Sequence, residues 1–406
     1  MHNPHRVLVG DGRRTSNAAA VLRSVLDNGP VARSTIARLT GLSAAAVTRQ
    51  YAELAGLGLL REVDNRVPRA TIGRPHIPVD IDVDQHVVCG VHIAFAHTTV
   101  ALVDLRGRVR AREREPHAGT GPTAVLTRAA DRVPDFLARH ADGRTPLGVG
   151  VAIGGWVDPA SGVVVRHSQL GWHDVAARDL LHARVGLPVH VESHSRALAR
   201  AEQMFGDARA RTSLVHLFVG NVVDAAIATG GAVHHGPRSA AGDIAHLPVD
   251  GGDRRCPCGR TGCLEAEVSD RSVAERAAAA GIITAPVLTD LLDAAVAGDR
   301  RAVELFRTRA RQVGRVAALL LDVINPDVLV VTELGSIHLP ECLADLHEVV
   351  AERSRRDGPE QAVVTTSFGA DVLSVAAGAV VLHHVYERPL ELHGNPATSY
   401  FQKSQN

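Results

Sequence analysis

The stretch HLPVDGGDRRCPCGRTGCLE, from His246 to Glu265, decides the fold. It holds three of the chain's five cysteines, Cys256, Cys258 and Cys263, with His246 ahead of them. Thiolates close in sequence and a more distant imidazole can complete a tetrahedral zinc site, and four protein ligands leave no open position for catalysis. The alternative is a reactive or disulfide-forming loop, which a reducing compartment disfavours. We therefore predict a structural Zn²⁺ site.

The charge of the chain is unevenly distributed. The 406 residues have a formal net charge of zero, but residues 1–75 contain eleven arginines and five carboxylates, about +6 in all. A basic N-terminal segment on an acidic body favours a polyanion as its partner. We find neither a secretory signal nor an uncharged apolar run of about eighteen residues, so we expect a cytoplasmic protein without a membrane span.

The N-terminal pattern STIARLTGLSAAAVTRQYAELAGLGLLREV predicts two helices joined by a tight turn. Ser34 and Ser43 are expected to cap the two helices, and Gly41 supplies the turn. Spacing of i, i+4 and i+7 predicts an inward face of Val47, Tyr51 and Leu54. The arrangement predicts a helix-turn-helix, although a three-helix packing module without DNA remains open.

The outward face of the second helix has small residues near its start, which allow close approach to a major groove. The residues that we expect to contact DNA there are Ser43, Ala44, Ala45, Thr48, Arg49 and Gln50. LLREV and VPRATI flank a turn at Arg66 and predict a β-hairpin wing. Arg74 is expected either to enter a minor groove or to belong to a plain linker.

Beyond the N-terminal segment the chain alternates strands and helices. Strand pairs such as HVVCGVHI and TTVALVDL are followed by helices, and the same order recurs in the second half. Strands in a meander and then alternating with helices, twice over, predict two α/β lobes around a cleft.

The motifs taken together resemble the ROK family of repressors, open reading frames and kinases. CPCGRTGCLE matches the family's C-x-C-G-x-x-G-C-x-E, and GDIAHLPVD and GGWVDPASGVV resemble two further family motifs. The resemblance implies an α/β protein: an N-terminal winged helix-turn-helix followed by a two-lobed actin-like, hexokinase-like body. The expected boundaries are 1–72 for the DNA-binding domain, 73–84 for a linker, 85–389 for the body and 390–406 for a disordered tail.

The family also implies a small-molecule pocket between the lobes. The residues carried over to it are Gln169, Ser193, His194, Asp243, His246 and Glu265. Carboxylates and amides suit hydroxyl recognition, so the expected ligand is carbohydrate-like. Substitutions among these positions favour a ligand larger than glucose or chemically unlike it, and a vestigial pocket is the alternative.

The kinase motifs of the family are altered. His194 stands where ROK kinases have the Asp that takes the proton from the sugar hydroxyl. His92 and Phe95 replace parts of the first phosphate loop, and Asp224 lies in the second. A phosphate needs backbone N–H groups within reach and a cation, and these substitutions deny both. We therefore expect no ATP-dependent kinase activity.

The sequence as a whole predicts a transcriptional regulator, a repressor, that responds to a carbohydrate-like effector. It would bind double-stranded, palindromic operator DNA as a homodimer or homotetramer. Two alternatives come from other classes: a sugar kinase with an attached DNA-binding domain, and a DNA-binding regulator controlled by a protein partner.

Overall fold

The computed structural model describes residues 4–63, 77–117 and 119–394. The N-terminal part consists of three helices and a two-stranded antiparallel sheet. These elements are α1 (Pro4–Asn28), α2 (Arg33–Thr40), α3 (Ala44–Gly56), β1 (Leu60–Glu62) and β2 (Val79–Ile81).

Two residues of the predicted turn between α2 and α3 act as expected. Gly41 ends α2 in the left-handed region, with φ of 69°, where a residue without Cβ is favoured. The Ser43 hydroxyl caps α3 by accepting a hydrogen bond from the Ala46 N–H at 3.2 Å. Ser34 is not a cap, and this prediction is wrong. The first turn of α2 closes on the carbonyl of Ala32, and no side chain caps it.

The second strand of the N-terminal sheet lies later in the chain than predicted. β1 pairs with β2, with Leu60 opposite Ile81. The expected partner VPRATI, together with Arg66 and Arg74, lies outside the described residues. The segment 73–84 is therefore not all linker. Val79 and Ile81 are buried on either side of the half-buried Asp80, which is strand alternation beside the prolines.

The first lobe contains a five-stranded sheet in the order β10-β6-β3-β4-β5 and a small sheet of β7, β8 and β9. Its strands are β3 (His86–Ile93), β4 (His97–Asp104), β5 (Val109–Pro116), β6 (Thr145–Ile153), β7 (Trp156–Asp158), β8 (Val163–His167), β9 (Trp172–Val175) and β10 (Val189–Ser193). Its helices are α4 (Pro122–His140), α5 (Ala177–Val185) and α6 (His194–Phe205).

The second lobe repeats this architecture with the strand order β13-β12-β11-β14-β15. Its strands are β11 (Ser213–Val219), β12 (Val223–Thr229), β13 (Ala232–Val233), β14 (Val328–Glu333) and β15 (Val363–Thr365). Its helices are α7 (Leu264–Val268), α8 (Asp270–Ala279), α9 (Leu288–Val296), α10 (Arg300–Ile324), α11 (Leu334–His338) and α12 (Pro340–Arg353), and α13 (Val372–Glu387) returns to the first lobe. The predicted pair of α/β lobes is confirmed.

The N-terminal helices share one hydrophobic core with the first lobe. Buried members of this core are Val21, Val25, Val47 and Leu54 from the N-terminal helices, and Val103, Met204 and Tyr386 from the lobe. Polar contacts reinforce the junction: the Arg23 guanidinium donates to the carbonyl of Gln203 at 2.7 Å, and Arg106 pairs with Asp80. The N-terminal part is therefore packed onto the body rather than tethered to it.

The C-terminal helix has the composition of a membrane span but the burial of a core helix. Among the described residues, only the helical stretch Gly369–Glu387 is long and apolar enough to cross a membrane, and 67% of it is buried inside the fold. After it, Leu390 and Leu392 pack against the shared core, so the predicted tail begins with packed residues. Residues 395–406 lie outside the described part of the chain.

Candidate functional site: a four-residue metal cluster and a divided cleft

The predicted metal ligands come together. One donor atom from each of His246, Cys256, Cys258 and Cys263 lies within 4.8 Å of the others. The His246 Nδ1 is 3.6 Å from the Cys256 Sγ, and the Cys258 and Cys263 Sγ atoms are 3.7 Å apart. Distances of this size are those between neighbouring ligands of one tetrahedral ion, so the donor set fits a zinc ion.

The local backbone explains how the cluster forms. Gly262 has φ of 69°, and a Cβ there would be 2.7 Å from the carbonyl oxygen of Gly252, so no other residue fits the turn. The backbone N–H of Arg260, and then its side chain, lower the pKa of the exposed Cys258 thiol to about 6. Burial raises the pKa of the Cys256 and Cys263 thiols, so of the three thiols Cys258 is the one that loses its proton readily, as metal binding requires.

The cluster holds one wall of a cavity between the lobes. The N–H of Leu264 donates to the Leu247 carbonyl at 2.8 Å, and the N–H of Glu265 donates to the Ala245 carbonyl at 2.9 Å. These bonds fix Glu265 as α7 leaves the loop. We call this cavity, of about 80 Å³, the carboxylate pocket; it is lined among others by Ser193, Asp224, Asp243, His246 and Glu265.

The acidic groups of the carboxylate pocket differ in their hydrogen bonds. Asp243 accepts a hydrogen bond from the Trp156 indole N–H at 3.1 Å. Glu265 is largely buried, and burial raises its pKa to about 7, with the charges of Asp224 and Asp243 adding to the effect. Near neutral pH the Glu265 carboxyl can therefore both donate and accept a hydrogen bond, as recognition of hydroxyls requires.

A buried ion pair stabilises one wall of the carboxylate pocket. The Arg196 Nε is 2.7 Å from the Glu192 carboxylate, and both side chains are 2% exposed. The same guanidinium donates to the carbonyls of Ser239 and Val157, at 3.1 and 2.6 Å. Arg196 lines the carboxylate pocket, but its guanidinium is held by these protein groups, and it joins α6, the first lobe and the loop that carries Ser239.

Two predicted ligand residues lie beside the carboxylate pocket rather than in it. The Gln169 amide donates to the Asn221 carbonyl and lowers the pKa of Glu265, partly offsetting its burial, so it acts as a support. His194, the first residue of α6, lines a second cavity of about 110 Å³. Val222 lines both cavities, which are therefore neighbours.

This second cavity, the histidine chamber, is lined by four imidazoles and several apolar side chains. The imidazoles belong to His92, His97, His167 and His194, and the apolar side chains include Phe95, Phe218, Val222 and Leu373. The rings of His194 and Phe218 lie 4.3 Å apart. Burial lowers the pKa of His92 well below its usual value and that of His167 to about 4, so both are neutral at pH 7.

The predicted DNA-contacting residues are divided between two environments. Ser43, Ala44, Ala45, Thr48 and Arg49 are all exposed near the start of α3. Gln50 is fully buried, so its expected place on the outward face is wrong. It lies three residues after Val47 and four before Leu54, and this helical spacing puts it on the inward side.

The fold and the cleft define a class of two-lobed α/β proteins with a pocket beside a cluster of metal-ligating residues. The ROK family model matches residues 88–385, so the chain belongs to the ROK family, as predicted. A transcriptional regulator of Mycobacterium tuberculosis is 37% identical over 395 residues, which cover 92% of this chain and 87% of that protein. The DNA-binding transcriptional repressor Mlc of Escherichia coli is 26% identical over 333 residues, covering 79% of this chain and 81% of Mlc.

Solved structures show the same fold. A ROK family transcriptional regulator, a homologue of Mlc, matches with a TM-score of 0.76 and 21% identity over 94% of this chain and 98% of that one. A ROK glucokinase from Streptomyces griseus, solved with glucose and AMPPNP, matches with a TM-score of 0.63 and 25% identity over 72% of this chain and 98% of the kinase. The named relatives confirm the prediction of a transcriptional regulator.

Sequence reasoning missed several side chains of the cleft. Trp156 lies within the GGWVDPASGVV motif, which does not indicate that its indole N–H donates a hydrogen bond to Asp243. His167 lies two residues before the predicted Gln169, at the end of β8, and this short spacing was the available signal. The pairing of Arg196 with Glu192 could have been expected from their i, i+4 spacing across the start of α6.

Proposed function

We propose that this chain is a ligand-responsive transcriptional repressor that binds operator DNA through α3 and an uncharged, carbohydrate-like effector in the cleft. The observation that carries the proposal is the coexistence of two surfaces in one packed unit. One is the exposed start of α3, and the other is the carboxylate pocket, which contains Asp243 and Glu265. The shared core joins the part of the chain that carries α3 to the lobe that carries α6.

The N-terminal part is proposed to act as a winged helix-turn-helix. α2 and α3 would be its two helices, and β1 and β2 would flank the wing. Arg49 is exposed beside the small side chains of Ala44 and Ala45, as direct readout in a major groove requires. A homodimer or homotetramer would place two such heads on the half-sites of a palindromic operator in the cytoplasm.

The cluster of His246, Cys256, Cys258 and Cys263 is proposed to hold a structural Zn²⁺. A bound zinc ion would supply cross-linking of the loop rather than catalysis, because all four positions come from protein. Its effect would be to fix Glu265 and the wall of the carboxylate pocket. Metal binding to such a site is coupled to folding of the segment that carries it.

The proposal includes the absence of kinase activity. His194 carries an imidazole where a ROK kinase has its general base, and its ring lies against Phe218. His92, Phe95 and Val222 occupy the side of the cleft where phosphates would need backbone N–H groups and a cation. A sugar kinase with an attached DNA-binding domain is the second candidate, and the ROK glucokinase match is the observation in its favour.

The proposal is tested with the full chain and fragments of its own genome. Sequences retained by the protein are identified, footprinted and then used to measure the affinity of variants. Arg49→Ala should weaken specific binding by about ten- to a hundredfold, the loss of one base-edge contact, with a smaller effect on nonspecific DNA. Ser34→Ala, on exposed α2, is the matched control.

The outcomes separate the candidates. If a carbohydrate releases the protein from the retained DNA, or recruits it to that DNA, the result supports an effector-controlled regulator. A DNA response only to cell extract depleted of small molecules would favour control by a protein partner. An Arg49→Ala variant with the parent's footprint would show that α3 does not read the operator.

A further inference from the structure

The histidine chamber adjoins the carboxylate pocket at Val222, which lines both cavities, and we call this boundary the throat. Gly154 lies at this throat: a Cβ added there would be 3.0 Å from the His167 Nε2, 3.2 Å from the Val222 Cγ2 and 3.5 Å from the His194 Cε1. Its φ does not require glycine, so the glycine reflects close packing, because a Cβ would press on these three side chains. A ligand that fills both cavities would pass beside Val222, whose side chain lines both.

Buried polar atoms at this boundary lack hydrogen-bond partners within the described residues. They are the His194 Nε2 and the Asp224 Oδ1, 3.4 Å apart, and, farther inside, the His92 Nδ1. His92 and His194 are 3% and 4% exposed. Leaving one such group unsatisfied costs about 1–3 kcal/mol. A ligand hydroxyl between the two cavities could accept a hydrogen bond from the His194 imidazole and donate one to Asp224, whereas an ether oxygen could only accept from the imidazole.

The charged and titratable side chains of the chamber disfavour an anion. Its described lining contains neither lysine nor arginine, and burial lowers the pKa of His97 and His167 to about 4. The carboxylates at its edges are Asp224 and Asp270, of which Asp270 is paired with Arg309 at 2.6 Å. The apolar walls of Phe95 and Phe218 favour a group with hydrocarbon surface.

We propose that the histidine chamber is the second half of the effector site and receives an uncharged, partly apolar substituent carried by the carbohydrate-like group in the carboxylate pocket. This inference rests on the proposed function. The effector is then a substituted sugar, such as an ether, a glycoside or an uncharged disaccharide, and not a sugar phosphate.

The test is calorimetric titration of the full chain with matched sugars. Glucose, mannose and N-acetylglucosamine are compared with their mono-O-methyl and mono-O-propyl ethers at each hydroxyl, and with their phosphate monoesters. At the one hydroxyl that faces the throat, affinity should rise about three- to fourfold for each buried methylene. The phosphate monoester at that hydroxyl should bind more weakly than the free sugar.

A pair of glycine variants checks the location. Gly154→Ala places a methyl group in the throat and should remove the gain from the ethers while changing the affinity for the free sugar less than about threefold. Gly148→Ala is the control, because its added Cβ would meet the Pro188 carbonyl oxygen at a similar 3.0 Å but lies within β6.

Each outcome decides something. If free sugars bind and every ether binds more weakly, or if a phosphate monoester binds most tightly, the inference is overturned while the proposed function stands. A gain from ethers that survives Gly154→Ala overturns the location. If the chain binds DNA but none of these carbohydrates, the proposed effector class fails and this inference with it.

Discussion

The two sides of one cleft differ in what holds them. The carboxylate pocket takes its shape from the His246, Cys256, Cys258 and Cys263 cluster and from hydrogen bonds that fix Glu265. The histidine chamber is held by packing of imidazoles against apolar side chains such as Phe218. Because different loops form the two cavities, substitutions can alter recognition of hydroxyl groups in one cavity independently of recognition of phosphate in the other.

We expect the largest effect from removal of a metal ligand, which should lower the stability of the part of the fold that forms the carboxylate pocket. Cys258→Ser is expected to abolish stoichiometric zinc binding and to destabilise the body by several kcal/mol, because structural zinc can contribute on the order of 10 kcal/mol. Elemental analysis and chemical denaturation measure both effects. Cys89→Ser, a buried cysteine outside the cluster, should keep the metal. Protein purified without chelator that contains no zinc would contradict the ligand set.

Acidification should destabilise the part of the fold that forms the histidine chamber. The pKa of His167 is lowered from 6.5 to about 4, so the unfolded chain binds the proton more readily than the folded one. The stabilisation is therefore complete above pH 6.5 and is lost as the pH falls through 4, by at most about 3 kcal/mol for this residue.

The acid effect is measured by urea unfolding at several pH values between 7 and 4. His167→Gln should reduce the pH dependence in this window relative to the parent, and the difference between the two curves removes the contribution of the metal site. His173→Gln, at an exposed histidine on β9, leaves the chamber intact and serves as the matched variant. Identical curves for the parent and His167→Gln would contradict the burial of a neutral imidazole.

Effector binding should distinguish the two sides directly. Asp243→Ala is expected to weaken binding of whichever free sugar the chain recognises by about ten- to a hundredfold, the value of a hydrogen bond to a charged group. Trp156→Phe, which removes the indole N–H but keeps an aromatic ring, should cost less. Titration calorimetry gives both values, and an Asp243→Ala variant that binds like the parent would place the sugar elsewhere.

We expect the smallest effect for kinase activity. His194→Asp restores the residue of ROK kinases at one position, yet we expect no sugar-dependent ATP turnover, because the phosphates would still lack a cation and open backbone N–H groups. A coupled assay with glucose, mannose, N-acetylglucosamine and N-acetylmannosamine measures this. Turnover by the parent that disappears in His194→Ala would show that the chain is an enzyme.

Local patterns explain which features were predictable. The metal cluster, the turn at Gly41 and the Ser43 cap each depend on residue types at short spacing, so they can be predicted from the sequence alone. Gln50 was misplaced because a polar residue was assumed to face solvent, whereas helical spacing puts it beside Val47. The alternation at Val79 and Ile81 was overlooked beside prolines.

The histidine chamber could be predicted only in part. Its histidines come from β3, β4, β8 and the start of α6, and its apolar walls include side chains of β11 and α13, so their meeting depends on how the lobes close over one another. The sequence identified His92 and His194 as substitutions that exclude phosphate. The short spacing between His167 and Gln169 placed His167 near the cleft, but its meeting with His92 and His194 around one cavity follows from long-range packing.

The core shared by the N-terminal helices and the first lobe bears on recombination between family members. A head exchanged at a linker would leave Val103, Met204 and Tyr386 without the side chains that cover them. Chimeras should therefore succeed only when the covering surface of α1 and its acceptor surface are transferred together. Evolution of a new operator specificity is then easier by substitution on the exposed start of α3 than by replacement of the whole head.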